Sequence, residues 1–350
     1  MVFSGDPIYS REVPIPHRPG GLTFAVLVAC ATLLLLVFAR RTVETPGRLS
    51  VVVDTDAGAD DLIALAYLLE REDVQIELIV SVNGLAHAEP GARNVARLVR
   101  AANRRVMVAI GEDRPLEGRA AFPNAWRAAA EALSDVTLPD VRRAPRPDGV
   151  SVLLERLRAS PGPVRLLALG PLTNIAAVVQ RDRRALANIA DIVIMGGAID
   201  VAGNAPASAS APVAEWNIYV DPVAAGIVFR SGIPITLVPL DATNHVPIDA
   251  RWVADFTSRR HSALGTAVGQ LLASAKPMIE AGAYFAWDPL AAVALTDPDV
   301  VRTRAMAIEA VHTGEETGRI RVRDRDPNAM VAYTASPALF RRVFFDALTH

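Results

Sequence analysis

Cysteine is nearly absent from the sequence. Cys30 is the only one in 350 residues, which excludes an intrachain disulfide and a cysteine-rich zinc site. Lysine is equally scarce, with Lys276 alone, and the 36 basic residues are interspersed with 38 acidic ones. No basic stripe that could track phosphates results, so nucleic acid is not an expected partner. Nor does the composition indicate disorder: 51% of the residues are hydrophobic, which suits one large α/β domain or two ordinary ones.

What is present begins with one long apolar run. Residues 22–39, "LTFAVLVACATLLLLVFA", carry no charge and are closed by Arg40 and Arg41. A membrane helix needs about 20 such residues. A buried core helix fits less well, because the run is apolar all round and stands outside the α/β pattern that follows. A cleaved signal peptide is the nearer rival, through the small residues of "LVAC" and "ACA". Those boxes lie mid-run, with "TLLLLVF" still to come, so an uncleaved anchor is expected. Arg11 and Arg18 before the span, against Arg40, Arg41 and Arg48 after it, lean only faintly toward a cytoplasmic C-terminal domain. The organisation expected is a proline-rich polar tail over 1–20, a transmembrane anchor over 21–40 in the lipid bilayer, a linker over 41–48 and a folded domain over 49–350.

Within that domain, β-branched and leucine-rich runs predict strands at 49–53, 75–82, 106–110, 164–169, 190–195 and 235–238. Helical patterns fall between them at 60–71, 90–103, 149–159, 172–180 and 221–230. This alternation implies βαβ units and an open, mainly parallel sheet covered by helices on both faces. Past residue 300, "AMAIEAVH" and "GRIRVRDRD" suggest a hairpin, followed by a helix over 336–348. Ligands in such folds bind beyond the carboxyl ends of the strands. The strand-end segments are "DTDAGADD", "SVNGLAH", "LGPLTN", "MGGAID" and "LDATNH", and residues 203–217 read as a long loop.

The first segment places Asp54, Asp56, Asp60 and Asp61 within eight positions. Asp54 and Asp56 share a side of the extended chain, while Asp60 and Asp61 open the next helix. A helix dipole favours a carboxylate there by only about 0.3–1 kcal/mol, too little for several converging charges. Either some are protonated or a hard divalent cation sits among them, and calcium accepts such mixed oxygen ligands. An EF-hand is excluded by glycine at the fifth loop position and Leu65 at the twelfth. A phosphatase of the haloacid-dehalogenase type, using Asp54 and Asp56, remains a rival. It wants a nearby hydroxyl residue and a lysine, whereas Ala57 and Gly58 follow and Lys276 is the only lysine.

Together with "DTDAGADD", the segments "LALGPLTNIA", "IVIMGGA", "AEWNIYVDPVAA" and "WDPLAAV" resemble the nucleoside hydrolase family, calcium-dependent N-ribohydrolases, in order from about Leu49 onward. The resemblance implies that Ca²⁺ is held by Asp56, Asp61, the backbone carbonyl of Thr173 and Asp288. It assigns Asp60 and Asn217 to the ribose hydroxyls, Asn204 and Glu215 to the 5′ side of the sugar, and Asp54 to support of the loop. Asp56 would be the general base that takes a proton from the attacking water. Many members carry histidine before the last metal aspartate; here Trp287 stands there, as in the purine-preferring branch, which stacks the base between aromatic rings. Trp126, in "FPNAWR", is the candidate second ring, with a rim or core aromatic as the alternative. His245 is a candidate acid or a structural histidine. Members often show Gly-Asn where this chain has Gly84-Leu85, so Asn83 is the candidate sugar contact, with His87 behind it. The resemblance also suggests a homo-oligomer. Three readings thus stand side by side: a membrane-anchored hydrolase of purine nucleosides, the phosphatase, and a tethered nucleoside or sugar sensor without turnover.

Overall fold

The computed structural model describes residues 48–118, 120–141, 143–206, 213–259 and 261–349. The expected tail, anchor and all but the last residue of the linker lie outside the described residues, as does part of the 203–217 loop. Among the described residues no helix is long and apolar enough to cross a membrane.

Nine strands form one sheet: β1 (Leu49–Thr55), β2 (Val74–Ser81), β3 (Val108–Ile110), β4 (Val164–Ala168), β5 (Ile189–Met195), β6 (Ile235–Val238), β7 (Val301–Ala310), β8 (Ile320–Arg323) and β9 (Ala329–Ala335). Their order is β3-β2-β1-β4-β5-β6-β9-β7-β8. β1 to β6 pair in parallel and β9 joins parallel to β6, while β7 runs antiparallel to β9 and β8 antiparallel to β7. The expected hairpin is present as β7 and β8. The sheet is mainly parallel, as expected, and mixed because β7 runs against both β9 and β8; β9, which the sequence reading passed over, inserts between β6 and β7.

Both faces are covered, as the near-continuous apolar strands require. Val51 and Val53 of β1 pack into one core with Leu62, Leu65 and Tyr67 of helix Ala59–Glu70 and with the buried helix Trp287–Thr296. Val52, one residue out of phase, joins Leu78, Leu153, Leu166 and Ile192 in the core on the opposite face. Strand order reverses between β1 and β4, whose neighbours lead away in opposite directions. The crevice beyond the carboxyl ends of those two strands is therefore where this architecture places a ligand.

Candidate active site

The chain leaves β1 through a tight turn in which Ala57 adopts a left-handed backbone (φ 58°). Thr55 stabilises that turn: its hydroxyl accepts from Ala57 N at 3.1 Å and donates to Asp61. Asp61 Oδ2 in turn accepts from Gly58 N at 3.0 Å, at the start of the helix. Local hydrogen bonds thus fold the acidic segment back on itself.

Two other strand ends close on Asp56. The backbone N–H of Leu85, after β2, donates to Asp56 Oδ2 at 2.8 Å. A Cβ on Gly84 would lie 2.1 Å from the same oxygen, and one on Gly170, after β4, 2.9 Å from Asp56 Cβ. Glycine at both places lets backbone approach the carboxylate. Asp288 arrives from the far end of the domain, in the first turn of helix Trp287–Thr296.

Asp56, Asp61 and Asp288 are buried, and Asp61 lies close enough to both of the others to perturb their titration. Carboxylate oxygens of Asp60, Asp61 and Asp288 lie within 4.8 Å of one another. This set of oxygens includes Asp60, assigned above to ribose, with Asp56 beside it. Burial and the neighbouring Asp61 hold the carboxyls of Asp56 and Asp288 well above the ordinary aspartate range. Burial and the facing Asp56 push Asp60 up to about 7; burial and Asp60 push Asp61 up to about 6. Asp288 Oδ1 is buried with no hydrogen-bond partner. An all-oxygen donor set with an orphaned buried carboxylate oxygen fits a hard divalent cation such as calcium.

The other expected residues fall into place unevenly. Thr173 is buried at the start of helix Thr173–Arg181, its hydroxyl donating to Asp221 Oδ2 at 2.7 Å. Asp54 is buried in β1 and accepts from Asn174 Nδ2 at 3.3 Å, its other oxygen having no partner. Glu215 uses both carboxylate oxygens to bind backbone N–H groups, of Asn217 at 2.9 Å and of Gly197 and Ile218 at 2.9 and 3.3 Å. It is thereby the N-cap of helix Trp216–Val220, and burial raises its carboxyl to about 7. Asn217 donates through Nδ2 to the carbonyls of Leu169 and Met195, at the ends of β4 and β5, at 2.8 and 3.2 Å. Asn204 is exposed and accepts from Trp216 N at 3.2 Å, which ties it to the loop rather than to the carboxylates. His245 is exposed, and no hydrogen bond joins its ring to the acids among the described residues.

Aromatic side chains form two groups. Trp126 is 50% exposed and meets Trp216 edge-on at 5.9 Å, with Phe122 stacked on Trp216 at 4.4 Å. Trp287, partly buried, meets Tyr284 at 5.3 Å and Phe285 at 6.1 Å. Sequence reasoning missed Trp216, although it stands between Glu215 and Asn217. It also missed Arg127, beside Trp126, which donates to Asn83 Oδ1 at 2.7 Å. Lys276, which a phosphatase would need, instead pairs with Glu280 at 3.6 Å with both side chains exposed.

A profile of the inosine-uridine preferring nucleoside hydrolases matches residues 51–342. Pyrimidine-specific ribonucleoside hydrolase RihA of Salmonella agona is 35% identical over 227 residues, covering 64% of this chain and 69% of its own. A probable uridine nucleosidase 2 of Oryza sativa subsp. japonica is 34% identical over 204 residues, 57% of this chain and 59% of its own. Among solved structures, a purine-preferring ribonucleoside hydrolase from Gardnerella vaginalis superposes with TM-score 0.74 at 24% identity, over 85% of this chain and 97% of the other.

Proposed function

Since the chain belongs to the inosine-uridine preferring nucleoside hydrolase family, we propose that it cleaves the N-glycosidic bond of purine ribonucleosides, with Asp56 as general base and a calcium ion held by its aspartates. Nucleoside hydrolysis follows from the family; the base preference, the ion and the residue roles are our reading. The observation that carries it is the gathering of Asp60, Asp61 and Asp288, with buried Asp56 beside them, at the switch point of the sheet.

In this reading Asp56, Asp61, Asp288 and the Thr173 carbonyl would hold the ion. When bound, a divalent cation would supply charge compensation and lower the pKa of a water beside it. Asp56, fixed at one oxygen by Leu85 N–H, receives the proton as the water oxygen bonds to the anomeric carbon. The C–N bond breaks with its electron pair going to the base, which takes up a proton from solvent as it leaves, and Asp56 afterwards returns its proton to solvent. The carboxylates gathered beside the sugar stabilise the positive charge that develops on the ring. Asp60 and Asn217 orient the ribose hydroxyls, and Asn83 adds a polar contact.

The purine preference is inferred from Trp287 immediately before Asp288 and from half-exposed Trp126, which would stack the base. Relatives at 34–35% identity bear uridine or pyrimidine names, which sets the opposite expectation. Release of reducing sugar from inosine, adenosine, guanosine and uridine, with and without chelator, decides between them. Faster turnover of uridine would overturn the purine assignment. Absence of release from all four, despite binding, would favour the sensor instead. We further propose that residues 21–40 anchor the enzyme in a membrane, on the strength of the uncharged run at 22–39. Removing residues 1–42 should then convert a membrane-bound protein into a soluble active one.

A further inference from the structure

Helix Asn124–Ala132 presents Trp126 to solvent, yet the next residue, Arg127, is buried at 7% exposure. Its Nη2 donates to Asn83 Oδ1 at 2.7 Å, while its Nε is buried without a partner. One turn further, Glu131 accepts from the backbone N–H of His87 at 3.0 Å and also meets the His87 ring. The loop after β2 is thus fastened to this helix at both its ends. Between those ends lie Gly84, packed against Asp56, and Leu85, whose N–H holds Asp56 Oδ2. Ala86 N also donates to the Asp56 carbonyl at 3.0 Å.

A buried guanidinium is costly unless its contacts compensate, and an apolar side chain of similar volume would fill the same space more cheaply. Its contact with Asn83 is specific: by donating to Oδ1, Arg127 fixes which end of the amide faces it and leaves the Nδ2 hydrogens at the other end to donate to another oxygen. We propose that Arg127 is a positioning residue, which fixes the amide of Asn83 as a donor for a substrate oxygen and ties the loop behind Asp56 to the helix that carries Trp126. The activity readouts rest on the function proposed above; the loop readout does not.

A double-mutant cycle tests the link. Arg127→Met should lower kcat/KM on the best nucleoside by about 10- to 100-fold, the value of a hydrogen bond to a charged group. If Arg127 acts through Asn83, the double variant with Asn83→Ala should be no slower than Asn83→Ala alone. Losses that multiply, or an Arg127→Met enzyme within twofold of the parent, would overturn the proposal. Should Arg127→Met fail to fold, Arg127→Gln, which keeps one amide donor, takes its place in the same cycle. Hydrogen exchange of amides 83–87 reads the loop without turnover: it should quicken in the variant, and unchanged exchange refutes the tie. A wild-type chain that releases no ribose would refute the functional reading, and the exchange result would then decide this proposal alone.

Discussion

Removing divalent cations should make the stability of this domain fall as pH rises, the reverse of what paired carboxylates give. The Asp60 carboxyl ordinarily titrates near 3.8 and is raised to about 7 in the fold, by burial and then by Asp56. Below 3.8 the folded and unfolded chains both carry the proton, so the group contributes nothing. Above that, the unfolded chain loses its proton while the folded one keeps it, and stability declines by ~1.4 kcal/mol per pH unit until the folded group ionises. From pH 5 to 7 the decline is ~3 kcal/mol for Asp60 alone, an upper bound because solvent partly reaches it. Asp61, raised to about 6, acts in the same direction, and the two titrate together rather than additively. For a domain this large, ~3 kcal/mol is about 6 °C in Tm. Thermal unfolding at pH 5 and pH 8, in EGTA and in excess calcium, should show a calcium increment several degrees larger at pH 8. An increment equal at both values, or a metal-free Tm that rises across this range, would refute the reasoning.

Asp56→Asn should leave the fold intact and reduce kcat by about 10²- to 10⁴-fold, the contribution of a general base, measured by reducing-sugar release; wild-type rates would remove Asp56 from that role. Trp287→Ala should cut kcat/KM for inosine more than for uridine, and equal losses would argue against stacking. Gly84→Ala should cost activity disproportionately, because the added methyl would fall 2.1 Å from Asp56 Oδ2. Calorimetric calcium affinity and turnover in that variant should both drop, and unchanged values would mean that the loop can yield.

The six parallel strands were legible because each is a compact β-branched or leucine-rich run closed by a turn. β9, "AMVAYTA", was not: alanine has little strand propensity, and pairing with β6 and β7 supplies what local sequence lacks. Helix Trp287–Thr296 escaped for a related reason. From Asp288 to Leu295 every residue is buried, so no polar face marks a helical period. In the site, the acids after β1 announced themselves because they crowd a few positions of one segment. Asp288 was reachable only by resemblance, since nothing local says that it meets Asp61. Arg127 offered no signal, its partner Asn83 lying on another strand's exit. The commitment of Glu215 to three backbone N–H groups was equally invisible, because the residue type fits a cap and a sugar contact alike.

The acids that converge on one point come from opposite ends of the domain: three follow the first strand, and the fourth opens a helix that precedes the last three strands. A nascent chain therefore emerges from the ribosome with most of its acidic residues in place long before Asp288 arrives to complete the cup. If the cup holds the proposed cation, its capture becomes a late event in biogenesis, and a truncated product lacking the final quarter would be without Asp288.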